Sequence, residues 1–311
     1  MRNAFASEIA ALAHKDERVV LLMGDIGNRL FNDFRAAHPQ RFFNCGIAEA
    51  NMTSMAAGMA SCGLRPFTYT ITPFATTRCL EQIRVDICYH HLPVVVVGVG
   101  AGLSYASLGA THHACEDIAF LRALPGMIVV CPADAIEVRL AMRAVLAQDQ
   151  PAYIRMGKKG EPVIHKGEPN FFLGEALVVK PGQDVCLLAA GTVLPLALET
   201  AAELGRQGVS TEVVSFHTIK PLDDEYLRAA FDRFRIVATL EEHSLIGGLG
   251  GAVAEWLVDQ PRVPAGKLVR FGCGDYFLHE AGDQEHARRK YGLTVEVMSE
   301  RVTRALRPIP E

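Results

Sequence analysis

PVVVVGVG, Pro93 to Gly100, reads as a strand with no polar face. A half-exposed antiparallel strand alternates apolar and polar residues, whereas four consecutive valines leave both faces in need of cover. That pattern belongs to a parallel sheet sandwiched between helices. The flanking sequence repeats it. Strand-like runs VVLLMGD (19–25), RFFNCG (41–46), RPFTYTI (65–71), MIVVCPA (127–133) and PAYIRM (151–156) alternate with helix-like stretches near 2–14, 49–61, 76–90, 115–123 and 135–147. Asp134 followed by Glu137 has the spacing of a capping box and starts the last of these helices.

From Glu161 to Glu175 the text becomes EPVIHKGEPNFFLGE, with two prolines, two glycines and no periodicity, which marks a linker. Alternation then resumes through DVCLLAAG, a helix over 193–207, STEVVSFHTI, a helix over 223–231, RIVATLEE, a helix over 248–259, KLVRFG and a closing helix over 294–306. The expectation is an α/β protein of two domains, 1–165 and 166–311, each a mostly parallel sheet flanked by helices.

Composition narrows the function classes. Of 311 residues half are hydrophobic and 21% are charged, with a net charge of -4, so nothing draws the chain toward phosphate backbones or anionic lipid. The tight basic pair Lys158-Lys159 sits beside Gly157 and Gly160 and builds no nucleic-acid groove. No apolar run approaches the roughly 20 residues of a membrane helix, and MRNAFASEIA lacks a signal-peptide core. The expectation is a cytoplasmic protein with neither nucleic-acid nor membrane partners. Eight cysteines form no C-x-x-C pair and lie in runs such as DVCLLAAG, where reduced Cys acts as a small hydrophobe rather than in disulfides or zinc sites.

Three places offer chemistry. Glu49, in FNCGIAEANMTSMAAGMASCG, falls in the first turn of an Ala/Met/Gly-rich helix with almost no polar face. There the helix dipole favours the anion and desolvation the neutral acid, a conflict that suits a proton-sharing carboxyl; the alternative is an ordinary first-turn glutamate facing water. IGGLGGAV (246–253) lacks the G-x-G-x-x-G order of a dinucleotide loop and fits close packing of a helix start on a sheet. LGATHHACED (108–117) follows the long Gly/Ser/Ala loop after PVVVVGVG, at a strand's carboxyl end where α/β proteins place ligands. Adjacent His112 and His113 chelate one ion poorly. Ligand contact, a structural histidine, a Cys115 nucleophile and a metal site all stay open from position alone.

In order along the chain, GDIGN (24–28), FNCGIAEANMTSMAAGMA, RPFTYTITPFATTRCLEQIR, HHLPVVVVGVG, GATHH, CPAD, AYIR, FHTIKPLD and TLEEHSLIGGLGG resemble the C-terminal half of transketolases. The resemblance spans essentially the whole chain. It extends to 1-deoxyxylulose-5-phosphate synthase and to beta subunits of 2-oxo acid dehydrogenases, with GATHH nearer the transketolase pattern. It implies a pyrimidine-binding domain plus a small terminal domain, and thiamine diphosphate bound between subunits. GDIGN resembles the start of the diphosphate signature, but Ile26 interrupts it and RFFNCG runs where its loop belongs, so it is not expected to bind diphosphate. The resemblance instead places the diphosphate and its Mg or Ca ion on a separate N-terminal subunit, with self-association into a heterotetramer.

The same resemblance makes Glu49 the carboxyl that hydrogen-bonds the aminopyrimidine, Phe74 the aromatic stacked on it, and Asp25 an acid near the cofactor. It makes His112 a contact to the sugar donor, and Arg155 and Arg2 holders of an acceptor phosphate. Two departures stand out. Leu108 replaces the acid of D-G-x-T-H, and Gly100 and Ala101 stand where relatives carry basic residues, which points to a modified or non-phosphorylated sugar, or another carbonyl compound, as substrate. The expected activity is transfer of a two-carbon ketol unit from a ketose to an aldehyde. The rivals are a 2-oxo acid decarboxylase or deoxyxylulose-phosphate-synthase-like subunit, and a non-catalytic regulatory or assembly subunit.

Overall fold

A computed structural model describes residues 1–27, 29–262 and 264–307; Asn28 of GDIGN and the last residues of the second domain lie outside the described residues. Two sheets organise them. The first contains β1 (Val19–Met23), β2 (Phe42–Asn44), β3 (Arg65–Ile71), β4 (Val95–Val99), β5 (Ile128–Val130) and β6 (Ala152–Met156). The second contains β7 (Leu177–Lys180), β8 (Val185–Ala190), β9 (Thr211–Ser215), β11 (Ile236–Ser244) and β12 (Lys267–Cys273). A short strand between them in sequence, β10 (Thr218–Lys220), belongs to the first sheet.

The first sheet runs β10-β5-β6-β4-β3-β1-β2 and the second β12-β11-β8-β9-β7. All pairings are parallel except those of β10 with β5 and β7 with β9. The α/β class with two mostly parallel sheets is as expected. β4 shows why the sequence announced it: all five of its residues are buried, with apolar clusters on both faces of the sheet. Each buried valine there contributes about 1.5–3 kcal/mol relative to exposure.

The structure differs from the sequence reading in two informative ways. STEVVSFHTI was read as one strand, but it breaks at Phe216-His217 and hands Thr218–Lys220 to the first sheet, where it pairs antiparallel with Val129 and Val130. The second half of the chain thus completes the edge of the first sheet. The stretch read as a helix over 76–90 is instead a 3-10 turn (Thr77–Cys79), one α-helical turn (Leu80–Gln82) and a π-helix (Ile83–Tyr89). Residues 157–176 form neither helix nor strand.

IGGLGGAV packs as its sequence suggested. Buried Glu241 from β11 accepts hydrogen bonds from the backbone N–H groups of Leu249 and Gly250 at 2.6 and 2.7 Å, capping the helix Leu249–Val258. A Cβ on Gly250 would lie 2.8 Å from Thr239 Oγ1, so glycine lets the helix close on the sheet. At the other candidate cap, Asp134 Oδ1 accepts from the N–H groups of Ile136 and Glu137. Glu137 does not close a capping box; it turns to Ala133 N and His165.

Candidate active site

Four neighbouring strands, β4, β3, β1 and β2, end on the same edge of the first sheet, and their carboxyl ends carry the chemistry. Asp25 follows β1. β2 leads through Cys45–Ala48 into the helix Glu49–Ser61, β3 runs into the turn Thr72–Ala75 holding Phe74, and the loop after β4 reaches His112. Parallel strands open such a crevice because their connections leave from one edge.

Glu49 is the first residue of its helix and is 3% exposed. Its Oε2 receives a hydrogen bond from Arg78 Nη1 at 2.7 Å, and Oε1 lies 3.5 Å from Thr70 Oγ1. A Cβ on Gly24 would stand 2.9 Å from Thr70 Oγ1 and 3.4 Å from Glu49 Oε1, so glycine lets the end of β1 pack close to Thr70 and the carboxyl. The Glu49 carboxyl is turned inward, which removes the water-facing alternative. Phe74 is half-buried. One face of its ring carries the Arg78 guanidinium, 4.0 Å from the centroid, and His112 meets the ring edge-on at 5.3 Å.

His112 is half-buried, its Nδ1 2.9 Å from Thr111 Oγ1. Burial, and then the neighbouring His113, hold its pKa below the ordinary histidine value, so the imidazole is neutral at pH 7 and can both donate and accept. His113 is buried, and Asp117 begins the helix Asp117–Arg122. The loop bearing His112 is pinned to the second sheet: Leu103 N donates to Glu242 Oε2 at 3.0 Å and Ser244 N to Cys115 O at 2.7 Å.

Asp25 is exposed at the rim, where Asn44 Nδ2 donates to its Oδ1 at 3.1 Å. Arg2 is half-buried at the start of the helix Arg2–Lys15, and adjacent Met1 accepts a contact from Gly157 N. Arg155 departs from the sequence expectation. It is 3% exposed, with Nε on Asp117 and Nη2 on Asp117 and on the carbonyls of Ala114 and Glu242. Those donors are engaged across the domain boundary, so from this position Arg155 holds the fold rather than a solvent-borne phosphate.

Reasoning from sequence missed Arg78 and Tyr105. Arg78 stands four residues after Phe74, a spacing that often brings side chains together. Tyr105 packs beside His112 and under Lys158, whose Nζ is 4.3 Å from the ring centroid. It also accounts for Gly100: a Cβ there would sit 2.0 Å from Tyr105 Cε2, and φ is +82°. With Ala101 2% exposed, neither position can aim a cation into the crevice.

Residues 1–161 match the transketolase pyrimidine-binding domain and residues 174–298 the transketolase C-terminal domain. The chain belongs to the transketolase family. A 6-deoxy-6-sulfo-D-fructose transketolase subunit of Clostridium sp. (strain MSTE9) is 37% identical over 95% of this chain and 91% of its own length. A solved structure described as a split gene transketolase, inactive beta4 tetramer, superposes with a TM-score of 0.89 at 37% identity, covering 98% of this chain and 97% of that one. The 1-deoxy-D-xylulose-5-phosphate synthase of Acidobacterium capsulatum is 35% identical over 96% of this chain, which spans only 48% of that enzyme. Among the described residues of this transketolase-family chain, no helix is long and apolar enough to cross a membrane.

Proposed function

We propose that this chain is the C-terminal subunit of a split, thiamine diphosphate-dependent transketolase, which moves a two-carbon ketol unit from a ketose to an aldehyde. A separate N-terminal subunit completes it, and paired copies of each make a heterotetramer. The observation that carries the reading is the inward-facing Glu49 carboxyl beside the half-buried ring of Phe74, with neutral His112 at the ring's edge. A carboxyl group next to an aromatic face suits a flat ring whose nitrogen can share a proton with it.

Bound there, thiamine diphosphate supplies the nucleophilic carbon that breaks the bond next to a ketose carbonyl. Glu49 would share a proton with the aminopyrimidine ring nitrogen, which accepts unless it is protonated, and so hold that proton at a fixed place. Phe74 holds the ring plane, and Asp25 faces the seam with the partner subunit. His112, able to donate and accept, orients the donor's hydroxyl and carbonyl oxygens. The Mg or Ca ion and the diphosphate are assigned to the N-terminal subunit. Arg2, half-buried at the start of its helix, is assigned to meet an acceptor's anionic group.

Leu108 is 51% exposed and offers no hydrogen bond to a sugar hydroxyl. With Gly100 and Ala101 apolar, the substrate is proposed to be a modified or non-phosphorylated sugar. Clear preference for aldose phosphates over unphosphorylated acceptors would count against this. The deoxyxylulose-phosphate-synthase reading draws on the 35% identity to that enzyme. Coverage of 91% of a transketolase subunit favours ketol transfer. The test is reconstitution with the proposed N-terminal subunit. Ketose-driven turnover that falls by several orders of magnitude in Glu49→Ala supports the proposal. Pyruvate-driven turnover supports the rival, and turnover indifferent to Glu49→Ala makes the chain an assembly subunit.

A further inference from the structure

In this structure a single side chain takes both features that the proposed function gives to the aminopyrimidine. Arg78 donates from Nη1 to Glu49 Oε2 at 2.7 Å while its guanidinium carbon stands 4.0 Å above the Phe74 ring. A guanidinium is planar, carries N–H donors along its edge, and stacks on aromatic faces. An aminopyrimidine hydrogen-bonded to Glu49 and stacked on this face of Phe74 would need the same volume. We propose that Arg78 is a placeholder: it pairs with Glu49 and covers Phe74 in the cofactor-free subunit, and has to swing out before the aminopyrimidine can settle. This rests on the reading of Glu49 and Phe74 given above.

The physical need for a placeholder lies in Glu49. Its side chain is 4% exposed, and a buried carboxylate without a partner is costly. Thr70 Oγ1, at 3.5 Å, is at the limit of a hydrogen bond, so Arg78 provides the charged partner. The means of release lie in Arg78 itself. It stands on the 3-10 turn Thr77–Cys79, its side chain is 42% exposed, and the Glu49 contact is its one ion pair among the described residues. A partly exposed arginine on a short turn can rotate into water without moving a strand or helix. The half-buried carboxylate of Asp86, the acid of the neighbouring π-helix, is held by Ser54 Oγ at 2.5 Å and does not compete for it.

Such a contact taxes binding in a definite way. The apparent dissociation constant is the intrinsic one divided by the fraction of molecules in which the site is open. If Arg78 leaves the site open in about a tenth to a third of molecules, removing it tightens binding by about three- to tenfold. The opposite role makes the opposite forecast. An arginine that stays in the loaded site to steer Glu49 would, on truncation, weaken binding.

The experiment is a titration of the complex reconstituted with its N-terminal subunit. Thiamine diphosphate is the probe, with affinity read by calorimetry for wild type, Arg78→Ala, Arg78→Gln and Glu49→Ala. The cofactor-free C-terminal subunit is melted in parallel, together with the double variant Glu49→Gln/Arg78→Ala. Arg78→Ala is expected to bind three- to tenfold more tightly while the free subunit melts at a lower temperature, and Glu49→Gln in the same chain is expected to restore the melting point. Arg78→Gln, which keeps a planar donor without the charge, guards against a folding defect and is expected to fall between. Unchanged or weaker binding by both Arg78 variants overturns the placeholder. If Glu49→Ala alone leaves cofactor affinity and turnover intact, the cofactor assignment itself has failed, whatever Arg78 does.

Discussion

Nε of Arg155 lies 2.7 Å from Oδ2 of Asp117, and both side chains are all but sealed from solvent. Tyr153 donates to the same oxygen at 2.6 Å. Burial works against both charges, but each is held by the other: Asp117 stays below the usual carboxylate range and Arg155 above its own. Because Arg155 Nη2 also reaches the carbonyls of Ala114 and Glu242, the pair ties β6, the His112 loop and β11 together.

Arg155→Met should therefore behave as a stability mutation. Leaving Asp117 buried and unpaired is expected to cost about 3–5 kcal/mol. Denaturant unfolding of the isolated subunit measures it. A midpoint within error of wild type, combined with a raised KM for anionic acceptors, would restore the phosphate-holding role.

Two glycines should respond to alanine with opposite signs. Gly58 lies inside the helix Glu49–Ser61, and a Cβ there would meet nothing within 4 Å, so Gly58→Ala is expected to stabilise the free subunit by about 0.5–1 kcal/mol. At Gly100 the same change drives a methyl into Tyr105 in a left-handed backbone, with an expected loss of about 1–3 kcal/mol. Melting temperatures of the two variants, read side by side, check both.

His217 predicts part of the acid limb of stability. It stacks on Phe171 at 4.0 Å, its Nδ1 meets Thr218 Oγ1, and burial pushes its pKa down to about 4 despite the pull of Glu137. The unfolded chain, near 6.5, then binds more protons than the native one between about pH 4 and 6.5. Its contribution is complete above pH 6.5 and is lost as pH falls toward 4. His243, also pushed to about 4 by burial, acts alike; Glu241, raised to about 7 by burial, acts the other way between 4.5 and 7. Subtracting the His217→Phe curve from wild type isolates His217. A difference that does not change with pH between 4 and 6.5 would refute the assignment.

Thiol reactivity should follow burial. Cys62 is exposed, Cys45 is intermediate and the other six cysteines are buried. Native protein is expected to release the chromophore of an aromatic disulfide reagent fast from Cys62 and slowly from Cys45, with the rest waiting for denaturant. Cys62→Ser should remove the fast phase. Its survival would mean that a second thiol opens readily.

The sequence was a good guide wherever local pattern and burial agree. RPFTYTI is a strand at Arg65–Ile71 and EANMTSMAAGMAS a helix at Glu49–Ser61, because an all-apolar run needs cover on both faces and an Ala/Met run has little other use. Glu49, Phe74 and His112 were legible only as an ordered series, since 25 and 38 residues of chain separate each from the next and nothing local joins them. Arg155 misled because an arginine at the carboxyl end of a strand looks like a ligand group until its surroundings are known. Its partners come from 38 and 87 residues away.

By itself, then, the sequence determined the α/β class, the alternation of elements and the family series, all properties of periodicity and motif order. Tertiary structure decided that β10 crosses to the first sheet, that Arg155 is a buried tie, and that Arg78 holds Glu49 over the face of Phe74. The reason is physical. Periodicity records how each segment meets the core, whereas the pairing of charges depends on which segments the strand order makes neighbours.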